Sequence, residues 1–423
     1  MSGFEELYWP RVMDTRLSLL LRAFGGVLIE GPKWCGKTWI GRRHSRSQIF
    51  VDDPAIRQRA LLDTAALLEG DPPVLVDEWQ GAPVLWDTAR RLIDAQTGKG
   101  RFIFTGSATP SDGATSHTGT GRFARLRLRP MSLFEAGDSS GAVSLGALLD
   151  GAPIETCSSN LDYAGAIRLI CRGGWPAGLG LDDDLAMLIP QQYIQSLAHF
   201  DLPRPDSTSR NPGKMMALLH SLARHTSTQA AIKTIHSDIA ANAEDGKTAA
   251  LSTLSDYIAA LRRVFAVDDL PPWIYSLRSK SQIRVTPTHR LADPSLAAAA
   301  LGATPQTLRG DPNTTGLLFE SLAIRDLRVY AEARGGDVYH YRDNTNLEAD
   351  AIVTDTTGRW GAVEVKLGAG QIGQAAATLL RLKRKLAGQV EPPAFLAIVT
   401  ATTGVAHTRD DSVHVIPIDT LGP

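Results

Sequence analysis

Gly31-Pro32-Lys33-Trp34-Cys35-Gly36-Lys37-Thr38 is the stretch that decides the fold of the amino-terminal part of the chain. It has the form G-x-x-x-x-G-K-T. It follows Gly26-Val27-Leu28-Ile29-Glu30, a short apolar run that reads as a buried strand. A strand feeding such a loop, with a helix behind it, is a P-loop. Glycines let the backbone curl until successive amide N–H groups surround phosphate oxygens. The following helix adds unpaired N–H groups and the positive end of its dipole. The residues from Gly31 to Thr38 are therefore expected to cradle the phosphates of ATP. Lys37 is expected at the β- and γ-phosphates, and the Thr38 hydroxyl on Mg²⁺. No base-reading residue is visible, so GTP stays open.

Working outward, Val74-Leu75-Val76-Asp77-Glu78 is an apolar strand ending in two acids. Asp77 is expected in the Mg²⁺ shell, and Glu78 is expected to orient and polarise the attacking water. Gly100-Arg101-Phe102-Ile103-Phe104-Thr105-Gly106-Ser107 repeats the pattern. Thr105 or Ser107 then touches the γ-phosphate or the water, with a helix cap as the plain alternative. Asp52 and Asp53 end another strand, Ile49-Phe50-Val51, and serve either the metal or an Asx turn before Pro54. Alternating strands and helices around a P-loop give a parallel α/β sheet with its site at the strands' carboxyl ends. A loose Ser/Thr/Gly tract from Ser111 to Gly121 leads to Arg122, which acts on the γ-phosphate in cis or from a neighbouring subunit, or forms part of a charged strand face. Arg125, Arg127 and Arg129 alternate with Leu126 and Leu128, a strand with one basic and one apolar side.

Arg11 to Arg16 are candidates to lie near the nucleotide base, though no spacing fixes them there. Gly137–Gly151 reads as a polar, glycine-containing connection and Leu185–Leu197 as a helix. Further on, three helical stretches are expected at Met215–Arg224, Ala230–Ala240 and Thr248–Phe265, and a hairpin after them. That is the outline of a winged helix. Lys233, Arg262, Arg263, Arg278, Lys280 and Arg284 supply cations for nucleic acid, while Asp238, Glu244 and Asp245 offset them. A structural use of this module is the preferred reading. In the last part, a helix over Thr315–Tyr330 carries Glu320. Strands follow at 337–342 and 347–353, and then Trp360-Gly361-Ala362-Val363-Glu364-Val365-Lys366-Leu367. Period two puts Glu364 and Lys366 on one strand face, and Asp350 on the partner strand of the hairpin meets them. Two carboxylates and a lysine so placed can bind a divalent ion and poise a water for phosphodiester cleavage. Asp350, Glu364 and Glu320 are the expected metal ligands, and Lys366 the catalytic cation. A satisfied ion pair is the alternative.

Composition bounds these readings. A chain of 423 residues, 43% hydrophobic, is long enough for two to four domains. With 44 basic against 45 acidic residues, bulk charge implies no nucleic-acid partner. Cys35, Cys157 and Cys171 are three scattered cysteines without disulfide or metal spacing, which fits a reducing cytoplasm. No apolar run is long enough to span a bilayer, so no membrane role is expected.

At this point the chain resembles a known class, the AAA-type P-loop ATPases of bacteria and archaea with an uncharacterised carboxy-terminal domain (AAA_14 plus DUF4143). The residues carrying the resemblance are Gly31 to Thr38, Val76-Asp77-Glu78-Trp79-Gln80, Phe104-Thr105-Gly106-Ser107 and Gly121-Arg122. The ending Leu128-Arg129-Pro130-Met131-Ser132-Leu133-Phe134-Glu135 adds to it, as does Arg172-Gly173-Gly174-Trp175-Pro176. In the last domain Glu320, Arg342, Leu347-Glu348-Ala349-Asp350 and Glu364-Val365-Lys366 match. The resemblance implies an AAA/RecA-like core binding ATP and Mg²⁺ and a carboxy-terminal α/β domain similar to restriction endonucleases. The expected organisation is α/β: residues 1–135 the ATPase core, 136–210 a helical lid or linker, 211–290 a winged-helix-like module and 291–423 the endonuclease-like domain. Expected function is Mg²⁺-dependent ATP binding and hydrolysis coupled to nucleic-acid handling. The alternatives are a metal-dependent nuclease and a non-enzymatic ATP-switched module. DNA, RNA and a partner protein all stay open as partners, and so does oligomerisation.

Overall fold

The computed structural model describes residues 8–95, 98–107, 119–199, 211–242, 250–275 and 286–423. The chain divides into two compact units; the main body of the first ends at Pro130 and the second begins at Met131. Most of the Ser111–Gly121 tract and of the 201–212 linker, Glu244 and Asp245, and the cations Arg278, Lys280 and Arg284 lie outside the described residues.

In the first unit, β1 (Gly26–Glu30), β2 (Ser47–Phe50), β3 (Val74–Asp77), β4 (Phe102–Gly106) and β5 (Phe123–Arg127) form one sheet in the order β2-β3-β4-β1-β5. Every pairing in it is parallel. Val27, Leu28 and Ile29 are buried, as expected where a parallel sheet is covered on both faces. An aromatic cluster packs beside it: Trp86 lies 4.1 Å from Phe123 and 4.9 Å from Trp79, centroid to centroid. Because all strands run the same way, the P-loop after β1, the acids ending β3 and Thr105 on β4 gather at one end.

In the second unit, β6 (Val143–Ser144) and β7 (Cys157–Ser158) precede a run of helices. Then come β8 (Asp337–Arg342), β9 (Glu348–Thr354), β10 (Trp360–Lys366), β11 (Phe395–Thr400), β12 (Val405–Thr408), β13 (His414–Pro417) and β14 (Leu421–Gly422). The larger sheet has the order β7-β12-β13-β11-β10-β9-β8. It is mixed: β8, β9 and β10 meander antiparallel, while β10, β11 and β13 run parallel. The helix Ile372–Leu386 buries Ala375, Leu379 and Leu382 against this sheet.

Residues 211–292 form helices Pro212–Arg224, Ile232–Ala241 and Leu251–Arg263. Antiparallel bridges then join Val267 to Leu291, Leu270 to Thr288 and Thr228 to His289. Trp273 N–H donates to the His340 carbonyl at 2.7 Å, so this segment caps the edge of β8.

Several stretches differ from the sequence expectation. The connection 137–151 is not plain loop: it contains β6 and the helix Leu145–Leu149, with Leu145, Leu148 and Leu149 buried. Its strand partner is β14 at the far end of the chain, which no local pattern announces. The Leu133–Ala136 helix belongs to the second unit, because Asp326 accepts from the Leu133 N–H at 3.0 Å. The helix expected over Leu185–Leu197 is broken at Met187.

Candidate functional site

The first site is built by the sheet's carboxyl end. Gly31 is required where it stands, since a Cβ there would meet the Leu128 carbonyl oxygen at 2.0 Å. Trp34 and Gly36 take left-handed backbone, at φ 62° and 99°, and Gly36 opens the helix Lys37–His44. No side chain caps that helix, so its first amides face the loop. The Lys37 ammonium donates to the Pro32 carbonyl at 2.7 Å and so closes the loop on itself.

The Thr38 hydroxyl donates to Asp77 at 3.0 Å. Thr105 also donates to Asp77, in a short contact. Burial raises the Asp77 carboxyl above the ordinary carboxylate range, and the Glu78 charge adds to this; the two threonine hydroxyls pull the other way. Glu78 sits at φ 52°, a strained conformation for a glutamate. Trp79, packed on Trp86, pins the turn behind it. Ser107 donates to Glu78 at 3.1 Å and the Gln80 amide does so in a short contact. Gln80 Oε1 is buried without a partner. The loop, Thr38, Asp77, Glu78, Thr105 and Ser107 are thus brought together. Both sensor candidates turn to carboxylates, Thr105 to Asp77 and Ser107 to Glu78. The donor set of hydroxyl and carboxylate oxygens suits a hard cation such as Mg²⁺.

Arg122 is not brought there. It immediately precedes β5, which runs parallel to β1 with Phe123 opposite Gly26. Arg122 therefore lies at the sheet's amino end, roughly 16 Å from the P-loop at ~3.3 Å per residue. It is exposed and pairs with Asp94 at 2.8 Å. The expected action in cis is corrected by this geometry. Asp53 caps the helix Pro54–Leu62 through the Ala55 N–H, which is the Asx reading. Arg129, expected on the basic side of β5, lies past the end of that strand and is buried.

One residue was undervalued in the sequence. Arg11, placed near the base by sequence, instead donates to the Cys35 carbonyl at 2.7 Å and to the Arg129 carbonyl at 2.8 Å, bracing the loop from below. Gln80 was also missed; its place two residues after Glu78 was the available signal.

The second site lies on β9 and β10. Lys366 Nζ stands 2.7 Å from Glu364 and 3.2 Å from Asp350. Asp350 also accepts the Val365 N–H at 2.7 Å, which locks β9 to β10 at this point. Glu364 Oε1 is buried and has no hydrogen-bond partner. Burial, then the Asp350 charge, pushes the Glu364 carboxyl up to about 8. The same two causes push Glu320 up to about 7, against the pull of Arg290. Burial works to lower the Lys366 ammonium, yet Asp350 and Glu364 hold it above its ordinary value.

Glu320 turns to Arg290, at 2.5 Å. Among the described residues no group of three or more His, Cys, Asp or Glu side chains is arranged around a common metal position. The three-carboxylate set read from sequence is therefore not gathered around one position; Asp350 and Glu364 share Lys366, and Glu320 pairs with Arg290. Arg290 itself had no sequence signal, because it arrives from the bridge-paired segment rather than from the sheet. Arg342 pairs with Glu348 at 3.5 Å. Arg172 fixes its turn through Asp138. Gly174 is needed there, since a Cβ would meet the Met131 carbonyl oxygen at 2.0 Å.

Residues 24–137 match the AAA domain family. Residues 315–421 match a domain of unknown function (DUF4143), and 165–307 match another (DUF8612). The uncharacterized proteins Mb2031c of Mycobacterium bovis and Rv2008c of Mycobacterium tuberculosis are each 25% identical over 358 residues, covering 83% of this chain and 72% of theirs. The Walker-type ATPase PABY2304 of Pyrococcus abyssi is similar at TM-score 0.40 and 11% identity, covering 69% of this chain and 96% of that one. The AAA match over a P-loop of this geometry supports an AAA-type ATPase. No helix among the described residues is long and apolar enough to cross a membrane.

Proposed function

We infer that the first unit binds ATP with Mg²⁺ and hydrolyses it. The observation that carries this is the meeting of the Thr38 hydroxyl with Asp77 at the mouth of the P-loop, with Glu78 beside it. Backbone amides of 31–38 and the Lys37 ammonium hold the phosphates. Thr38 and Asp77 hold Mg²⁺, which supplies charge neutralisation on the phosphate oxygens. Glu78, oriented by Ser107 and Gln80, accepts the hydrogen bond of the attacking water and aligns it. The test is ATP binding and phosphate release by purified protein, with Lys37→Ala and Glu78→Gln beside it. Absence of ATP binding by the folded wild type overturns the reading. Any arginine contribution from Arg122 comes from a second copy of the chain, which makes the oligomeric state part of the same experiment.

A second reading concerns the carboxy-terminal part, as a restriction-endonuclease-like domain with a metal-dependent nuclease site. The buried, unpartnered Glu364 oxygen beside Asp350 favours it. Asp350 and Glu364 would hold a divalent ion, whose chemistry there is to acidify water. Lys366 steadies the charge that develops on the phosphate. On the winged-helix reading of 211–290, the module would serve mainly as structure, with docking of duplex nucleic acid or of a partner protein as its other uses. Incubation with linear, circular and single-stranded DNA and with RNA, plus Mg²⁺ or Mn²⁺ and with or without ATP, tests this reading. Cutting that survives Asp350→Ala refutes it. Failure to retain duplex or single-stranded DNA even at low salt, with and without ATP, together with a nucleotide-dependent protein partner, favours the protein-switch alternative.

A further inference from the structure

Arg290 enters the carboxylate site from outside the sheet that carries it. It lies between His289, bridged to Thr228, and Leu291, bridged to Val267. Its side chain is 3% exposed. One guanidinium nitrogen donates to the Ser227 hydroxyl at 2.7 Å, and another pairs with Glu320 at 2.5 Å. Ser227 is itself held, donating to the Leu317 carbonyl at 2.9 Å from a left-handed backbone at φ 60°. The guanidinium is therefore fixed at both ends, and Glu320 is on the helix that packs across the site.

We propose that this site takes a single hard divalent cation, held by Asp350 and Glu364, and that Arg290 occupies the place of a second one at Glu320. The proposal rests on the metal-site reading of the carboxy-terminal domain. Two observations carry it. Glu364 Oε1 is buried and unpartnered next to Asp350, an oxygen that asks for a cation. Glu320, the third carboxylate, is already matched by a buried guanidinium. Three carboxyl groups face two side-chain cations, Lys366 and Arg290. One divalent ion adds positive charge there and makes the site attractive to a phosphodiester. The first ion meets Lys366, whose partly exposed ammonium can swing aside, whereas a second would have to sit against Arg290, buried and held by Ser227, where like charges repel strongly. Arg290 is thus a positioning residue: it sets how many ions enter and keeps Glu320 out of the ligand shell.

The test is Mn²⁺ binding to the full-length, nucleotide-free protein, read from the electron paramagnetic resonance of free Mn²⁺. Sites unaffected by Asp350→Asn are background and are subtracted. Wild type is expected to hold one Asp350-dependent ion. Arg290→Met is expected to hold two, the second disappearing when Glu320→Gln is added, and Arg290→Lys is expected to hold one. Glu320→Gln alone, which keeps the pocket's shape, should leave the single ion with its Kd changed less than about threefold. Loss of that ion in Glu320→Gln overturns the proposal, as does a second ion in wild type. One ion in folded Arg290→Met does the same. No Asp350-dependent ion in wild type overturns the metal-site reading itself, and the proposal with it.

Discussion

Replacing Lys37 by alanine removes the buried side-chain cation of the phosphate loop. Lys37 is 5% exposed and its ammonium is already satisfied by the Pro32 carbonyl at 2.7 Å. Binding ATP therefore exchanges a neutral acceptor for charged ones. A charge-assisted hydrogen bond contributes about 1.5–3 kcal/mol, so exchanging the one to Pro32 for two to phosphate oxygens gains up to about 3 kcal/mol. Contacts to the β- and γ-phosphates together come to about 3 kcal/mol, or about 150-fold in Kd. Calorimetric titration with Mg²⁺ and a non-hydrolysable ATP analogue measures this directly. The melting temperature of the variant, taken alongside, separates lost binding from lost folding. A Kd within threefold of wild type, in a variant that melts where wild type does, refutes the assignment of Lys37 to the phosphates.

Glu78→Gln keeps the hydrogen bond geometry but not the charge, so ATP affinity stays within a few-fold while turnover falls by about 100-fold or more; equal turnover would remove Glu78 from the chemistry. Arg122→Ala leaves the turnover of dilute, monomeric protein unchanged, since the residue lies at the wrong end of the sheet. A loss at every concentration would contradict the strand register. His340 is buried between Gln229 and the Thr286 carbonyl, and burial lowers its pKa to about 4. The unfolded chain then binds the proton first, so this histidine's contribution is present above pH 6.5 and is lost as pH falls towards 4. The loss is about 3 kcal/mol at 1.36 kcal/mol per unit, and His340→Gln should flatten that part of the stability–pH curve. Arg325→Met strands the buried Asp293 and Asp326 carboxylates, which sit 2.8 and 2.7 Å from the guanidinium. Denaturant unfolding should show a loss of about 3–5 kcal/mol, and a loss below about 1 kcal/mol would mean that the triad does not hold the fold.

Local signals reached far in this chain. Glycine spacing, an apolar strand and two terminal acids were enough to gather Lys37, Thr38, Asp77 and Glu78, because in a parallel sheet strand ends are also neighbours in space. Period two likewise placed Glu364 and Lys366 together, and the short hairpin brought Asp350 to them. What stayed hidden depended on distant partners. Arg122 looked well placed in sequence because strand direction was not used to ask which end it occupies. The 137–151 segment read as a connection because its strand partner, Leu421–Gly422, is at the other end of the chain. Arg290 had no pattern at all: its role exists only once Glu320 is folded against it.

The two carboxylate sites are satisfied by opposite means, and this bears on what each can accept. Asp77 and Glu78 are met by neutral donors, the hydroxyls of Thr38, Thr105 and Ser107 and the Gln80 amide. Hydrogen bonds of this kind orient an acid without cancelling its charge, and the nearest loop cation is turned to a carbonyl. Such a pair keeps its negative charge for an incoming metal–nucleotide complex, and its donors swing aside at small cost. Glu364, Asp350 and Glu320 are met by Lys366 and Arg290, which cancel most of their charge before any ligand arrives. A cation entering there competes with the ammonium and guanidinium groups. Charge matching alone therefore makes the P-loop site the stronger metal site once nucleotide is present. On the metal-site reading, the carboxy-terminal site takes its one ion without an added anion, more weakly than the P-loop site does, and a phosphodiester would strengthen it.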